Sequence, residues 1–356
     1  MYNRFHLNYL YDTSQTLYEG GPGKMITLAD VAAKAGVSKA TASRALNQPQ
    51  LLAPETRDRV IAAASALGFS VNRAARALAK GSTGIVSIVV PTLENTFFTP
   101  IIKGAQRAAE EGDLHATITV LAGDTEADQS RLMWLAEQVD GFVLASPRAP
   151  GAFLKQLAQR KPLVTIDRQV EGIPSVIADT PRSLGELVSG LMAAGHRRLT
   201  YVGGPEGSWM DQRRLKAIQT AAGEGCAVSV IGPLPPAFAS GASIAREIAD
   251  SETKAVVAYA SEIALGLYFE LQRLDPSSRG AITMASADDL AVGPLAGLDI
   301  TALQVDGDAV GESAMATLVK MLRNGQDTSP LRRRVPVPIR WASNGAINVP
   351  ASAAPP

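Results

Sequence analysis

From Gly84 onward the chain alternates short apolar, β-branched runs with helical segments over about 260 residues, and this alternation constrains the fold more than any other feature. It begins with "GIVSIVVP", a run apolar on both faces, as in the strands of a parallel sheet covered on both sides. A helical segment ("FTPIIKGAQRAAEEGD"), a strand ("HATITVLAGD"), a helix around Arg131–Gln138 and "VDGFVLAS" follow. The rhythm continues through "KPLVTIDR", "RLTYVGGP", "KAVVAYA" and "AITMASADD". Such a pattern predicts open α/β sheets arranged as two lobes. With hydrophobic residues at 46% and charged residues at 19% of 356, there is apolar material for a sizeable core. No apolar run approaches the ~18 residues that would mark a membrane span.

Ahead of this region the period changes to that of helices. "TLADVAAKA" places Leu28, Val31, Ala32 and Ala35 on one stripe, and Thr27 with Asp30 forms an N-cap signature. Gly36 breaks the helix, Ser38 caps a second one through about Leu46, and Pro54 opens a third that Gly68 ends. Two short helices joined by a glycine-containing turn and backed by a third form a helix-turn-helix unit. The second helix, in "GVSKATASRALNQ", is poor in large apolar residues and rich in polar ones, either a solvated face or a face with a partner.

Charge favours a partner. The formal net charge is zero, but residues 25–80 carry eight Lys and Arg against three acids, while residues 81–356 carry 24 against 29. A basic block on an acidic body points to a polyanion partner for one end only.

These residues resemble the LacI/GalR type of bacterial transcription regulators, over roughly Met25 to the C-terminus. "TLADVAAKAGVSKATASRALN" follows that family's T-x-x-D-V-A-x-x-A-G-V-S-x-A-T-V-S-R-x-L-N, with Ala42 where Val is usual. "VPTLENTFFTPIIKGAQRAAEE", "VDGFVLAS", "VTIDR", "AGHRRLTYVGGP" and "SADD" match in order. The resemblance implies an all-α helix-turn-helix headpiece and a hinge helix. A two-lobed α/β body follows, like periplasmic binding proteins, with parallel sheets crossed three times by the chain. The expected divisions are 25–70 for the headpiece, 71–84 for hinge helix and linker, and 85–347 for the body. Lobe 1 spans about 85–179 and 304–330, and lobe 2 about 180–303 and 331–347. Residues 1–24, which hold four of the seven tyrosines, read as a disordered extension or a start assigned too early, and 348–356 as a disordered tail.

An α-helix fits the major groove of B-DNA, where base edges present distinct donor and acceptor patterns. By resemblance Lys39, Ala40 and Arg44 face bases, and Arg44 has the fork that suits guanine. Thr27, Ser38, Thr41, Ser43 and Asn47 suit phosphates, which fix register without reading sequence. Asn72, Arg73, Arg76 and Lys80 belong to the hinge, and the family's minor-groove leucine falls on Leu78. An apolar wedge there kinks the duplex at a cost of a few kcal/mol. The expected partners are a palindromic double-stranded operator, a second copy of the chain and a small-molecule effector, most simply a carbohydrate. The tail "NVPASAAPP" has no heptads, so a homodimer is expected rather than a tetramer.

Clefts between α/β lobes bind ligands at the carboxyl ends of strands. Carried over by motif, the effector candidates are Asn95, Phe97, Phe98, Asp167, Trp209, Arg214, Ser261, Glu262 and Asp288. Several depart from the family pattern. Ser261–Glu262 stands where Asn-Asp is common, Gln212 where a second Arg is common, Ser286–Ala287 where Gly-Phe is usual, and Val305–Asp306 replaces Gln-Pro. The longer Glu262 is expected to reshape a pocket built for a shorter acid, leaving an unusual sugar, a sugar acid, a phosphorylated metabolite or no effector open.

Rival classes fit less well. A periplasmic binding protein shares the body but needs a secretion signal and no headpiece. An enzyme needs a catalytic set, yet His6, His115 and His196 show no metal-ligand spacing, and no G-x-S-x-G, P-loop or dinucleotide fingerprint is present. No cofactor, metal or membrane is expected. The single cysteine, Cys226, reads as a buried apolar residue in a cytoplasmic protein. Repressor and activator are not separable from sequence.

Overall fold

The computed structural model describes residues 26–47, 51–69, 82–275, 282–289, 298, 300–325 and 332–342. The chain forms two units, Met1–Ala79 and Lys80–Pro356. The expected extension 1–24, the tail 348–356 and the hinge candidates Asn72, Arg73, Arg76, Leu78 and Lys80 lie outside the described residues.

In the first unit, α1 (Leu28–Ala35), α2 (Lys39–Asn47) and α3 (Pro54–Ala66) pack around a small core. The Thr27 backbone N–H donates to Asp30 Oδ2 at 2.8 Å, and the Asp30 N–H returns to Thr27 Oγ1 at 3.4 Å, closing a capping box. Gly36 ends α1 in the left-handed region at φ 65°, where a side chain is strained. The Val37 N–H then bonds the Ala32 carbonyl at 3.0 Å, and Ser38 Oγ accepts the Thr41 N–H at 3.0 Å to start α2. Val31, Ala42 and Val60, one from each helix, are fully buried. Ala42, the departure from the family pattern, is therefore a core position.

The second unit carries two six-stranded sheets. The first, in order β11-β5-β4-β3-β1-β2, is parallel throughout and uses β1 (Ile85–Val90), β2 (His115–Val120), β3 (Gly141–Ala145), β4 (Leu163–Ile166), β5 (Ser175–Ala178) and β11 (Arg332–Val335). The second has the order β12-β10-β9-β8-β6-β7, from β6 (Arg198–Val202), β7 (Ala227–Ile231), β8 (Ala255–Ala258), β9 (Thr283–Ser286), β10 (Thr301–Leu303) and β12 (Ile339–Arg340). All its neighbours run parallel except β12 against β10.

Helices cover both faces. Those of the first lobe are α4 (Phe98–Glu111), α5 (Glu126–Leu135), α6 (Gly151–Arg160) and α12 (Gly307–Asn324), and those of the second α7 (Thr180–Ala193), α8 (Trp209–Ala222), α9 (Phe238–Ser243), α10 (Ala245–Asp250) and α11 (Ser261–Leu274). The central strands β3, β4, β5 and β8 are buried along their whole length, as their largely apolar runs require. The edges β2, β7 and β11 alternate or are exposed, and β11 is blunted by Arg332, Arg333 and Arg334.

The chain passes between lobes after Ala178, after Leu303 and after Val335. The last passage corrects the expected division. Residues 332–335 pair with β5 in the first sheet, so lobe 2 regains the chain only near Ile339. Another correction concerns α5, which starts at Glu126 rather than near Arg131, because Thr125 Oγ1 accepts the Asp128 N–H at 3.1 Å and caps it.

Candidate functional sites

In the helical unit, the second helix divides its residues by direction. Ala42 and Ala45 are buried, while Lys39, Ala40 and Arg44 are exposed on the opposite side. Among the described residues neither Lys39 nor Arg44 makes an ion pair. Thr27, Ser38 and Thr41 are surface hydroxyls already engaged locally: Thr27 Oγ1 donates to Asp30 at 2.7 Å, and Ser38 and Thr41 share a hydrogen bond of 2.8 Å. A hydroxyl has one proton to donate, so the accepting member of the Ser38–Thr41 pair still has an O–H for an anion, whereas the Thr27 proton is held by Asp30. Ser43 is half-buried, and Asn47 is the last residue of α2.

In the body, both sheets reverse strand order beside their first strand, between β1 and β3 in one lobe and between β6 and β8 in the other. Loops leaving the carboxyl ends of those strands splay apart and leave a crevice. The larger cavity, about 430 Å³, opens there. Its floor meets a nearly filled inner chamber of about 10 Å³, lined by Asn95, Phe97, Phe98, Asp167, Arg214 and Asp288 together with Ser146, Met210 and Tyr259. Six of the nine expected effector residues thus come together from three loops and two helices.

Arg214 is the centre of this chamber. Ser208 Oγ accepts the Asp211 N–H at 3.2 Å and sets the phase of α8, so Met210, Arg214, Ile218 and Ala222 share its buried face. A buried guanidinium must be matched by hydrogen bonds. Arg214 Nε donates to Thr180 Oγ1 at 3.0 Å, Nη1 donates to the Tyr259 carbonyl at 2.9 Å, and the group stacks 4.9 Å above the Tyr259 ring. A Cβ on Gly204 would lie 2.6 Å from that ring, so only glycine lets it sit there.

Two buried carboxyls accompany the arginine. Asp167 follows β4 in the left-handed region at φ 52°, and its Oδ1 accepts the Ala178 N–H at 2.8 Å. Burial pushes its pKa up to about 6, against the Ala178 bond and the Arg214 charge, which lower it. Asp288 accepts from Ser286 Oγ at 2.9 Å, and burial raises its pKa to about 7 despite the attraction of Arg214. Ser146, at the end of β3, is a second left-handed residue facing the cavity, with φ 46°. Such conformations gather where loops are held for function.

Three expected residues line neither cavity among the described residues. Trp209 is half-buried with the Arg213 guanidinium 5.6 Å from its ring centroid. Ser261 is buried and donates its hydroxyl to Glu262 Oε2 at 3.2 Å. Glu262 lines neither cavity, although its charge acts on Asp288 in the chamber. It reaches across the crevice, where Oε1 accepts both the N–H (2.8 Å) and the hydroxyl (2.7 Å) of Thr96. Lobe 1 and lobe 2 are thereby hydrogen-bonded at the residue between Asn95 and Phe97, which line the chamber. Two other departures have structural uses: Ser286 donates its hydroxyl to Asp288, and Asp306 caps α12 by accepting the Ala309 N–H at 2.9 Å.

The sequence reading missed Ser146, Arg148, Ser208, Tyr259 and the wall formed by Pro233, Leu234, Pro235 and Pro236. Tyr259 carried a signal, an aromatic directly after an apolar strand. The proline wall after β7 had none, because its relation to the crevice exists only once β7 takes its edge place.

Residues 27–72 match the family of bacterial regulatory proteins of the lacI type, and residues 83–340 match the periplasmic binding proteins and sugar binding domain of the LacI family. The second match alone covers most of the chain. The chain belongs to the LacI family. It is a transcriptional regulator of that family, with the family's sugar-binding type of domain, and the family is not one of enzymes. Among its relatives is the HTH-type transcriptional regulator PtxS of Pseudomonas plecoglossicida, 27% identical over 86% of this chain and 92% of that protein. Another is the maltose regulon regulatory protein MalI of Escherichia coli (strain K12), 30% identical over 70% of this chain and 75% of MalI. The lac repressor dimer bound to operator and the anti-inducer ONPF shares the fold at a TM-score of 0.76 and 21% identity, covering 90% of this chain and 98% of that one. The transcriptional regulator CelR in complex with cellobiose does so at 0.64 and 24% identity, over 89% of this chain and 99% of CelR. No described helix of this LacI-family chain is long and apolar enough to cross a membrane.

Proposed function

We propose that this LacI-family regulator is a cytoplasmic homodimeric repressor that reads a palindromic operator and responds to a carbohydrate-like effector in the cleft of its body. The observation that carries this reading is the division of α2, whose Ala42 and Ala45 are buried while Lys39, Ala40 and Arg44 are exposed. A helix with a small buried face and an exposed Arg suits the major groove, where bidentate Arg–guanine pairing discriminates by ~1–3 kcal/mol. Thr27, Ser38, Thr41, Ser43 and Asn47 then border phosphates, and Leu78 with its hinge neighbours enters the minor groove. A two-fold dimer requires a symmetric site.

In the body, Asn95, Phe98, Asp167, Arg214 and Asp288 bind the effector. An effector changes operator occupancy only through its differential affinity for the DNA-competent state. The Thr96–Glu262 contact is the element it must bias, because it joins the lobes next to Asn95 and Phe97 of the chamber. Selection of binding sites from random DNA with the purified chain, at stated salt, tests the reading. A two-fold symmetric consensus is expected. Binding without sequence preference that fades steeply with salt contradicts it.

A further inference from the structure

The cleft carries information about the class of its ligand. Its room lies almost wholly in the outer cavity, about 430 Å³ against about 10 Å³ in the inner chamber. That is a volume in the range of pockets for ligands of drug size, ~300–1,000 Å³, and larger than one pyranose ring needs. One side of the outer cavity is a rigid apolar wall of Pro233, Leu234, Pro235 and Pro236. Pro91, Phe98 and Tyr259 also line the cavity. Flat ring faces pack on such surfaces.

Charge narrows the class further. The described residues of the two cavities include four acids, Glu94, Glu206, Asp167 and Asp288, against Arg148 and Arg214. Both cations are already engaged in part. Arg148 is held by Asp124 at 2.6 Å, and two nitrogens of Arg214 are committed to Thr180 and the Tyr259 carbonyl. A phosphate or carboxylate entering here would face more like charges than opposite ones, which disfavours it. Hydroxyls meet no such penalty, since carboxylates accept from them and Asn95 and Ser146 line both cavities at the mouth of the chamber.

We propose that the cleft takes an uncharged glycoside of at least two rings, its hydroxyl-rich end at Asn95, Ser146 and Tyr259 and its second ring on the proline wall. This rests on the cleft being the effector site. It separates this chain from a relative in fold, the Cra regulator of Pseudomonas putida solved with fructose 1-phosphate.

Calorimetry on the full chain at pH 7.5 tests it with cellobiose, maltose, trehalose and phenyl β-glucoside beside glucose, glucose 6-phosphate, fructose 1-phosphate and gluconate. At least one uncharged two-ring compound is expected to bind about tenfold tighter than glucose, a step typical of one added pocket contact, with no heat from the phosphates or gluconate. Pro235 is exposed on the wall, so Pro235→Asp keeps the fold and is expected to erase most of the preference for two rings over one. A phosphorylated or acidic sugar as the tightest binder overturns the proposal, as does a panel in which no uncharged two-ring compound binds, or a preference that Pro235→Asp leaves intact. Operator selection on the same preparation keeps the two readings apart. A symmetric consensus with tight anion binding overturns only the ligand class, whereas loss of sequence preference overturns the regulator reading itself.

Discussion

The helical unit and the α/β body solve opposite problems with the same amino acids. Six of the eight buried core residues of the helical unit are alanines, so little apolar area is removed from water, and local devices such as the Thr27–Asp30 box and the Ser38 cap hold its helices. Its polar chemistry is left outside. The body buries whole strands of Val, Ile and Leu and can therefore hold a guanidinium and two carboxyls away from water, at strand ends where its lobes meet. The difference teaches that an exposed recognition face needs only well-capped helices, whereas a buried site needs a large core behind it.

The largest effect that would break this contrast is expected at Arg214. Arg214→Met leaves Asp167 and Asp288 buried without their cation and should cost the body about 3 kcal/mol in urea unfolding. A loss below about 0.5 kcal/mol would mean that the chamber is hydrated and the arginine dispensable. The next effect is pH-dependent. The folded pKa of Asp288, about 7, lies above that of an unfolded Asp, near 3.8. The folded state therefore holds the extra proton, and the stability this contributes is present below pH 4 and lost as pH rises through about 7. The body should melt at a lower temperature at pH 8 than at pH 5.5, and Asp288→Asn should flatten part of that slope. Identical slopes in both proteins would place the proton elsewhere.

Smaller effects sharpen the other side. Thr27→Ala removes the capping box and should destabilise the helical unit by about 1 kcal/mol, read as faster amide exchange in α1 with no change in the body's strands. Thr96→Val removes one of two donors to Glu262, and spin labels on the two lobes should report a broader distance distribution. The contribution at issue is about 1 kcal/mol. An unchanged distribution would leave the lobes held by packing alone.

How much of this was legible in the sequence follows from the same contrast. The headpiece could be read because its signals are local: Thr27 to Asp30, Gly36 and Ser38 lie within a turn of the groups they satisfy. The strands and helices of the body were legible as alternation, and the placement of Asp167 and Asp288 after strands followed from the motifs. Their surroundings did not. Tyr259, Ser146 and the proline wall meet only because loops from non-consecutive strands converge at the two switch points. Glu262 was read as a pocket acid because it stands where the family pattern has Asp, yet it bonds Thr96, 166 positions away. Trp209 stood in the right loop and turned toward Arg213. Strand β11 was assigned to the wrong lobe because Arg332, Arg333 and Arg334 carry no apolar pattern to announce an edge strand.

The central claim is that α2 reads bases through its exposed face, and Arg44→Ala on a selected operator tests it most directly. Anisotropy titrations of wild type and variant against that operator and a scrambled duplex, at equal salt, give the answer. A loss of about 1–3 kcal/mol on the operator with little on the scrambled duplex is the predicted result. Equal losses on both would show that Arg44 only neutralises phosphate, and base reading by this helix would be contradicted.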